Sequence, residues 1–289
     1  MKQTLPFNFG GIPAAFSAYR TSRAVVLPVP FDKTSTYVKG ADKGPRAIIN
    51  ASRNMELYDI ETGTEVYLKG IHTAKSVLAS RARDMVNKTR EKVSRFLGDG
   101  KFVVVLGGEH SASVGSIIAH AEHFEDVSIL HLDAHSDRRD TYDGERLSHA
   151  CVMARAQELV NTIVSVGIRS MDSSELERLK KDTVLYASEI GASKDWIKKA
   201  LKALSKNVYV TIDLDVFDPS IMPSTGTPEP GGMDWYAVVN LMEALFRKRN
   251  VVGFDVVELC PSKHTVAPDF LAAKLVYKLL SFKFRGKDR

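Results

Sequence analysis

The sequence contains only two cysteines, Cys151 and Cys260, among its 289 residues. Two cysteines are too few for a disulfide framework, and they fit a protein of the reducing cytoplasm. The chain also lacks the run of about 18 apolar residues that a membrane-spanning helix requires. Its first residues, MKQTLPFNFGG, show neither the apolar core nor the cleavage site of a signal peptide. We therefore expect a soluble, cytoplasmic protein with no membrane partner.

A strong charge of one sign is absent as well. The chain has 40 basic and 35 acidic residues, and the net charge of +5 is spread along it. Since no basic or aromatic binding motif accompanies this diffuse excess, we expect no nucleic-acid partner. Much of the excess lies in residues 278–289, which we expect to form a solvated end.

Internal repeats, low-complexity tracts and Ser/Gly linkers are also missing. The length would suit two domains of about 150 residues each, but open α/β sheets often reach this size as one domain. Apolar residues make up 44% of the chain, enough for a sizeable core. The sequence therefore predicts a single domain over residues 1–289.

Short apolar runs rich in β-branched residues alternate with amphipathic stretches of helical length. Continuous apolar strands indicate a sheet that is covered on both faces, and helix-length crossovers indicate parallel pairing. We therefore predict a three-layer α/β fold. The predicted strands are RAVVLPVP, EVYLKGI, FVVVLGG, SILHLDAH, TIVSVGIRS, DTVLYAS, NVYVTIDLDV and NVVGFDVVEL. The predicted helices cover residues 44–59, residues 74–96, SSELERLKK, KDWIKKALKALS, DWYAVVNLMEALFRKR and DFLAAKLVYKLLSF.

Polar side chains follow four of these predicted strands at the point where each strand ends. In open α/β sheets the carboxyl ends of the strands form the ligand crevice, so these side chains are expected to meet there. Taken alone, a histidine after two glycines also fits a turn, and a pair of aspartates also fits a strand cap. The four groups are His110; Asp133, His135 and Asp137; Asp213 and Asp215; and Glu258.

The stretch LDAHSD gives the clearest indication of a metal. Asp133, His135 and Asp137 occupy alternate positions, so an extended strand would direct them to one side. Two carboxylates buried side by side cost several kcal/mol unless a cation compensates them or one is protonated. Together with His110, Asp213 and Asp215 they offer more ligands than one tetrahedral zinc accepts, and oxygen-rich sites suit Mn(II) or another hard divalent ion. We therefore expect two ions that share Asp133 and Asp213.

With these motifs in place, the sequence resembles the ureohydrolase family, which comprises the arginases and agmatinases. The resemblance covers nearly the whole chain, and the fold it implies is a three-layer α/β/α arrangement with a parallel sheet of about eight strands. It also implies a homo-oligomer, a trimer or a hexamer. The motifs, in the order of the family, are PFDKTSTYVKGADKGPRAI, GGEHS, DAHSD, SHA, TIDLDVFDP, TGTPEPGG and VELCP.

The resemblance also implies two Mn(II) ions per chain. It assigns four ligands to each ion, with two aspartates shared between them. The first ion is assigned to His110, Asp133, Asp137 and Asp213, and the second to Asp133, His135, Asp213 and Asp215.

The activity implied by the resemblance is the hydrolysis of a small cationic guanidino compound. Hydroxide would attack the guanidinium carbon, and Asp137 would pass a proton to the departing amine. Glu258 would hold the guanidinium, and His149 would bind substrate and shuttle protons near the mouth of the site. The pattern is most like that of agmatinases, which predicts the conversion of agmatine to putrescine and urea in polyamine biosynthesis.

Other substrates and classes stay open at this point. Arginine, guanidinobutyrate and aminopropylagmatine are alternative substrates, although the Asn and Ser-rich segment of arginases is absent. A metal-dependent deacetylase of the same fold uses a single zinc, and the complete second ligand set argues against it. A binding module with an inactive site is a further class. The end of the substrate could meet Asp140, Asp143 or Glu145 if it is an ammonium, and Arg138, Arg139 or Arg146 if it is a carboxylate.

Two positions depart from the pattern of the family. Glu109 stands in GGEHS where the family more often has aspartate, and we expect it to tune the neighbouring His110 without binding metal. Cys151 follows the SHA motif where a small residue is common. We expect Cys151 and Cys260 to act as small buried apolar residues.

Overall fold

A computed structural model describes residues 5–193 and 195–285. Its strands form one parallel sheet in the order β2-β1-β3-β8-β7-β4-β5-β6. The sheet confirms the predicted fold class. The strands are β1 (Ala24–Val29), β2 (Ile71–Thr73), β3 (Phe102–Gly107), β4 (Val127–Leu132), β5 (Ile163–Ile168), β6 (Thr183–Tyr186), β7 (Asn207–Asp213) and β8 (Asn250–Val257).

Helices cover both faces of this sheet. The α-helices are α1 (Ala14–Ser17), α2 (Gly44–Ser52), α3 (Ala82–Gly98), α4 (Ser113–His123), α5 (Val152–Ala156), α6 (Leu176–Leu179), α7 (Ala187–Ala192), α8 (Trp196–Ala203), α9 (Trp235–Lys248) and α10 (Ala267–Phe284). Short 3-10 helices cover Phe9–Gly11, Ala41–Lys43, Val66–Lys69, His110–Ala112, His149–Cys151, Ser173–Glu175 and Leu214–Val216.

The core has two layers, one on each face of the sheet. Successive strand residues point to opposite faces, so Val26 packs in the layer that contains α2, α8, α9 and α10, while Val25 packs in the layer of α3, α4 and α5. Both residues are fully buried. This explains why the strands are continuously apolar in sequence.

The predicted strand EVYLKGI is wrong over most of its length. Val66–Lys69 form a 3-10 helix, and the strand begins only at Ile71. Gly70 separates the two with a φ of +82°, and a Cβ at this position would lie 2.6 Å from the Cα of Ser22. The glycine therefore allows the chain to turn into the edge of the sheet.

Two helices are shorter than predicted. The helix predicted over residues 74–96 begins at Ala82, because the backbone N–H groups of Ala74 and Val77 donate to carbonyls of β1 and extend the edge pairing. The helix predicted over residues 44–59 ends at Ser52. There the side-chain hydroxyl of Ser52 accepts a hydrogen bond from the Gly10 N–H.

The expected solvated end begins later than predicted. Lys278 is only 2% exposed, and α10 continues to Phe284. The ammonium of Lys278 lies 2.5 Å from the buried Asp59 carboxylate and also meets Glu61. Burial alone would raise the pKa of Asp59, but hydrogen bonds from Lys278 and Thr62 outweigh it and lower the pKa. Residues 286–289 lie outside the described part of the chain.

His120, in α4, is fully buried and faces the sheet. Its Nδ1 lies 2.8 Å from the Ser116 carbonyl, and its ring is 4.6 Å from the Tyr209 ring. Gly253 leaves room for the imidazole, because a Cβ there would overlap it. Within residues 5–193 and 195–285 its Nε2 has no hydrogen-bond partner, so a proton on this nitrogen would be unsolvated.

This burial predicts a pH dependence of stability. Burial lowers the pKa of His120 to about 4, whereas an unfolded histidine has a pKa of about 6.5. Between these values the unfolded chain binds the extra proton, so acidification favours unfolding. We expect the free energy of unfolding of metal-free protein to fall by about 3 kcal/mol over this range from His120 alone.

Urea denaturation between pH 7 and pH 4 in the presence of a chelator measures this effect. His120→Met should flatten the pH dependence, while the exposed His123 supplies the control His123→Gln, which should keep it. An unchanged slope in His120→Met would contradict the assignment.

Candidate metal centre

The site lies at the centre of the carboxyl edge of the sheet. The strands β3, β8, β7 and β4 are consecutive neighbours there. The four polar groups predicted from the sequence lie at the ends of these strands and in the loops that leave them, with Asp213 as the last residue of β7. Because parallel strands all end at the same edge, residues far apart in the chain meet in one crevice.

The LDAHSD motif converges for a different reason from the one predicted. Strand β4 ends at Leu132, so Asp133, His135 and Asp137 lie in the following loop and not in an extended strand. Asp137 has a φ of +53°, a conformation that is uncommon outside glycine. The backbone N–H of His135 donates to Asp133 Oδ1 at 2.5 Å. A folded loop, and not strand alternation, brings the three side chains together.

One group of side chains surrounds His110. Its Nδ1 lies 2.9 Å from Asp137 Oδ2, 3.2 Å from Asp133 Oδ2 and 3.6 Å from Asp213 Oδ2. All four residues are buried. The structure thus brings together the four residues expected for the first ion.

A second group surrounds His135. Its Nδ1 lies 2.9 Å from Asp215 Oδ2 and 3.6 Å from Asp133 Oδ1. Asp133 therefore directs one oxygen towards His110 and the other towards His135, as a bridging carboxylate would. Asp213 lies beside Asp215, whose backbone N–H donates to Asp213 Oδ1 at 2.9 Å.

Hydrogen bonds fix the tautomer of His110. Its Nε2 lies 2.9 Å from the hydroxyl of Thr211, which donates its single proton to the Asp255 carboxylate at 2.7 Å. Thr211 can therefore only accept from His110, so Nε2 carries the hydrogen. In neutral His110 the lone pair of Nδ1 then points at the three aspartates. This is the tautomer that a metal ligand requires.

His131 is a functional residue that sequence reasoning missed. Its Nε2 lies 2.8 Å from Asp133 Oδ2 and its Nδ1 lies 3.1 Å from the Ser165 hydroxyl. That hydroxyl accepts a hydrogen bond from the buried Arg138, which leaves its proton free for Nδ1. Since the Asp133 carboxylate can only accept, Nε2 carries the hydrogen and donates to it, while Ser165 donates to Nδ1. His131 thus orients the Asp133 carboxylate. Its Nε2 lies close enough to His110, Asp133 and Asp137 to belong to a metal site, but in this tautomer that nitrogen has no lone pair for an ion.

The charges of the site are not balanced by the protein. Burial, followed by the carboxylates of Asp215 and Asp133, raises the pKa of Asp213 far above its usual range. Burial and Asp133 likewise raise the pKa of Asp215. Burial also tends to raise the pKa of Asp133, but the surrounding imidazoles, His131 first, outweigh this effect and lower it. Bound cations would let all of these carboxylates ionise.

The donor set fits two hard divalent ions. Among residues 5–193 and 195–285, the buried Nδ1 of His110 has no hydrogen-bond partner although three carboxylates lie near it. A nitrogen lone pair facing carboxylate oxygens is stable when a cation lies between them. Asp133, His135 and Asp215 form a second group whose ligand atoms lie within 4.8 Å of one another.

Glu258 and His149 both line a cavity of about 260 Å³ that opens beside the two groups. Glu258 accepts a hydrogen bond from the His110 N–H at 2.6 Å and has a φ of +66°. Burial, and then the nearby Glu109, raise the pKa of Glu258 well above its usual range. A substrate cation placed against this carboxylate would favour its ionised form.

The acids of the loop that follows DAHSD, which the sequence offered as candidate partners for a distal ammonium, do not line the cavity. Asp140 is paired with arginines outside the cavity, and Asp143 and Glu145 are exposed residues that do not line it. Two further acids do line the cavity, the exposed Asp172 and the buried Glu175, which follow β5. MDSSE directly follows the predicted strand TIVSVGIRS, as the other polar groups follow their strands, so this signal was present in the sequence.

The three arginines of that loop also have separate fates. Arg138 is buried, and its guanidinium lies 2.9 Å from Asp182. Arg146 pairs with Asp140 and Glu158 at the surface. Arg139 alone lines the cavity, where it lies 3.3 Å from Asp172.

The cysteines are both free thiols. Cys151 is buried as expected, and burial raises its pKa to about 11. Cys260 is partly exposed, contrary to expectation, and its Sγ lies 3.4 Å from the Lys39 carbonyl.

Removing one charge should separate the two groups. Asp215→Asn keeps an acceptor for the Ala134 N–H but loses the charge facing His135. We expect the manganese content after equilibration with Mn(II) to fall from two ions per chain to about one. Asp218→Asn is the matched control, since Asp218 lies in the same loop and its carboxylate accepts from Ser220, Gly231 and Gly232 instead. Two retained ions in Asp215→Asn would contradict the second site.

Comparisons with known proteins agree with this geometry. Residues 22–281 match the Arginase family. The chain is 41% identical to an N(1)-aminopropylagmatine ureohydrolase of Thermus thermophilus, with 92% of each protein covered. It is 31% identical to an agmatinase of Pyrococcus horikoshii, with 90% of this chain and 92% of the relative covered.

A solved structure shows the same fold. The agmatine ureohydrolase of Thermoplasma volcanium superposes with a TM-score of 0.88 at 32% identity, covering 97% of this chain and 95% of that one. Among residues 5–193 and 195–285, no helix is long and apolar enough to span a membrane. The family match, the relatives and the shared fold show that the chain belongs to the arginase family and is an amidinohydrolase of the ureohydrolase type.

Proposed function

We propose that this enzyme hydrolyses a guanidino compound that carries a distal amine, releasing urea. The observation that carries the proposal is a cavity with buried acids at its floor and a further acid near its mouth. Asp213, Asp215 and Glu258 lie at the floor, while Asp172 is 40% exposed. Such a cavity complements a molecule with a cation at each end.

The wall between the acids supports a polymethylene spacer. Tyr37, Val38, Met171 and Tyr142 line the cavity together with these acids. Apolar side chains between two acidic regions suit a chain of methylene groups that separates a guanidinium from an amine.

Each catalytic group has a defined task in this proposal. Two divalent ions, which we propose to be Mn(II), would be held by the His110 and His135 groups and supply hydroxide at neutral pH. Glu258 accepts hydrogen bonds from the guanidinium and orients its carbon towards the metal centre. Asp137 carries a proton to the departing amine, and His149 exchanges protons near the mouth.

N(1)-aminopropylagmatine is the substrate that we place first. The N(1)-aminopropylagmatine ureohydrolase of Thermus thermophilus is 41% identical to this chain, whereas the agmatinase of Pyrococcus horikoshii is only 31% identical. The sequence alone favoured agmatine, which has the same guanidinium and a shorter amine chain. Agmatine is therefore the second candidate. Loss of urea from the longer compound leaves spermidine, and loss from agmatine leaves putrescine, so both reactions belong to polyamine biosynthesis.

Arginine and guanidinobutyrate are less suited to this cavity. Their carboxylate would meet Asp172 and Glu175, two acids that lie 3.3 and 4.0 Å from Arg139 and would repel the substrate carboxylate. A single-zinc deacetylase is likewise disfavoured, because the second group around His135 is complete. We also propose that the enzyme is cytoplasmic, where its two thiols stay reduced, and acts as a homo-oligomer, a trimer or hexamer.

Urea release from four compounds tests the substrate. We expect the highest kcat/KM with aminopropylagmatine, a lower value with agmatine, and much lower values with arginine and guanidinobutyrate. Asp172→Asn should lower kcat/KM for both amines by about fivefold, since the ion pair is partly exposed.

Asp143→Asn serves as the matched control for that variant, because Asp143 lies outside the cavity. Faster hydrolysis of arginine than of either amine by the wild-type enzyme would overturn the proposal.

A further inference from the structure

Glu109 takes no part in the proposed reaction, although it is fully buried beside the site. Its carboxylate accepts hydrogen bonds from the Thr34 N–H and the Thr34 hydroxyl, both at 2.6 Å. It also accepts from the Ser35 N–H at 3.0 Å and from the Ser111 hydroxyl at 2.6 Å. A carboxylate has about four acceptor positions, so this one is fully used. Most of its partners belong to the loop that follows β1.

Thr34 also forms a hydrogen bond with a second loop. Its hydroxyl has a single proton, which it donates to Glu109, so the oxygen accepts the hydrogen bond from the His149 N–H at 2.9 Å. The Nδ1 atom of His149 lies 3.4 Å from the same oxygen. Glu109 and Thr34 thus join the loop after β1 to the loop that carries His149.

Both joined loops form walls of the cavity. Residues 35–38 contribute one wall, and His149 and Ala150 contribute another. Asp32 stabilises the other end of the first loop, because its carboxylate accepts hydrogen bonds from the Gly40 and Ala41 N–H groups at 2.7 and 3.1 Å. That contact is internal to the loop. Glu109 is held on the end of β3, so it relates the position of the loop to the sheet.

We propose that Glu109 is a positioning residue that acts through Thr34 to fix the distance between residues 35–38 and His149, and so sets the width of the substrate cavity. The proposal rests on the proposed function only in taking the cavity to hold a guanidino amine. A longer amine contacts more of this wall, so its binding depends more strongly on Glu109. Aspartate, one methylene shorter by about 1.5 Å, cannot hold Thr34 and Ser111 at the same time.

Thr34→Val and Thr34→Ser form the central test. Valine keeps the shape of the side chain but removes the hydroxyl, and serine keeps the hydroxyl. We expect Thr34→Val to raise KM for aminopropylagmatine by about tenfold, the effect of losing one charge-assisted hydrogen bond. The rise in KM for agmatine should be smaller, and kcat should change less than KM for both substrates. Thr34→Ser should keep KM for both substrates close to the wild-type values. Glu109→Asp should behave like Thr34→Val.

Hydrogen exchange supplies a readout that needs no activity. The His149 amide should exchange faster in Thr34→Val, and the Thr34 and Ser35 amides should exchange faster in Glu109→Asp. Manganese content should stay within about twofold of wild type, because neither residue is among the six candidate ligands. Thermal unfolding of each variant verifies that it is folded.

Unchanged KM and unchanged exchange in folded Thr34→Val would overturn the positioning role, as would failure of Thr34→Ser to restore KM. Absence of urea release from every guanidino amine by the wild-type enzyme would instead overturn the proposed function. Faster exchange at His149 would still support the positioning role in that case, so the two failures are distinguishable.

Discussion

The negative charge buried at the carboxyl edge of the sheet is the constraint on which the rest of the structure depends. Asp133, Asp137, Asp213 and Asp215 are buried within a few ångströms of two imidazoles. Such a cluster is unfavourable without compensating cations. The protein supports it through neighbouring groups: hydrogen bonds orient His110 and the carboxylates of Asp133, Asp213 and Asp215. Uncommon backbone conformations place the side chains of Asp137 and Glu258. Strain and buried polar groups of this kind are typical of functional sites.

The central strands could be predicted because burial on both faces makes their sequences continuously apolar. Strand β3, for example, is apolar along its length and is followed three residues later by His110. The candidate ligands could be found for the same reason, since charged residues directly after a buried strand are unusual. The edge strand β2 was harder to predict, because residues Val66–Lys69 form a 3-10 helix and the chain turns at Gly70 before the strand begins. The assignment of residues 1–289 to one domain stays a prediction.

Residues that act through other residues could not be predicted from local pattern. His131 reads as part of a buried strand, and its role depends on Ser165 and Arg138, which come from other segments. Asp140, one candidate partner for a distal ammonium, is paired instead with arginines that are distant in sequence. Glu109 was expected to tune its neighbour, yet it holds Thr34, 75 residues away. Contacts of this kind join segments that are distant in sequence, so they become visible only in the folded structure.

The central claim is that this cluster holds two divalent ions, with His131 outside their coordination. Anomalous diffraction from crystals grown with Mn(II), collected on either side of the manganese edge, tests it most directly. The account predicts two peaks per chain, one between His110 and Asp137 and one between His135 and Asp215, with Asp133 and Asp213 contacting both. A single peak, or a peak ligated by His131, would contradict it.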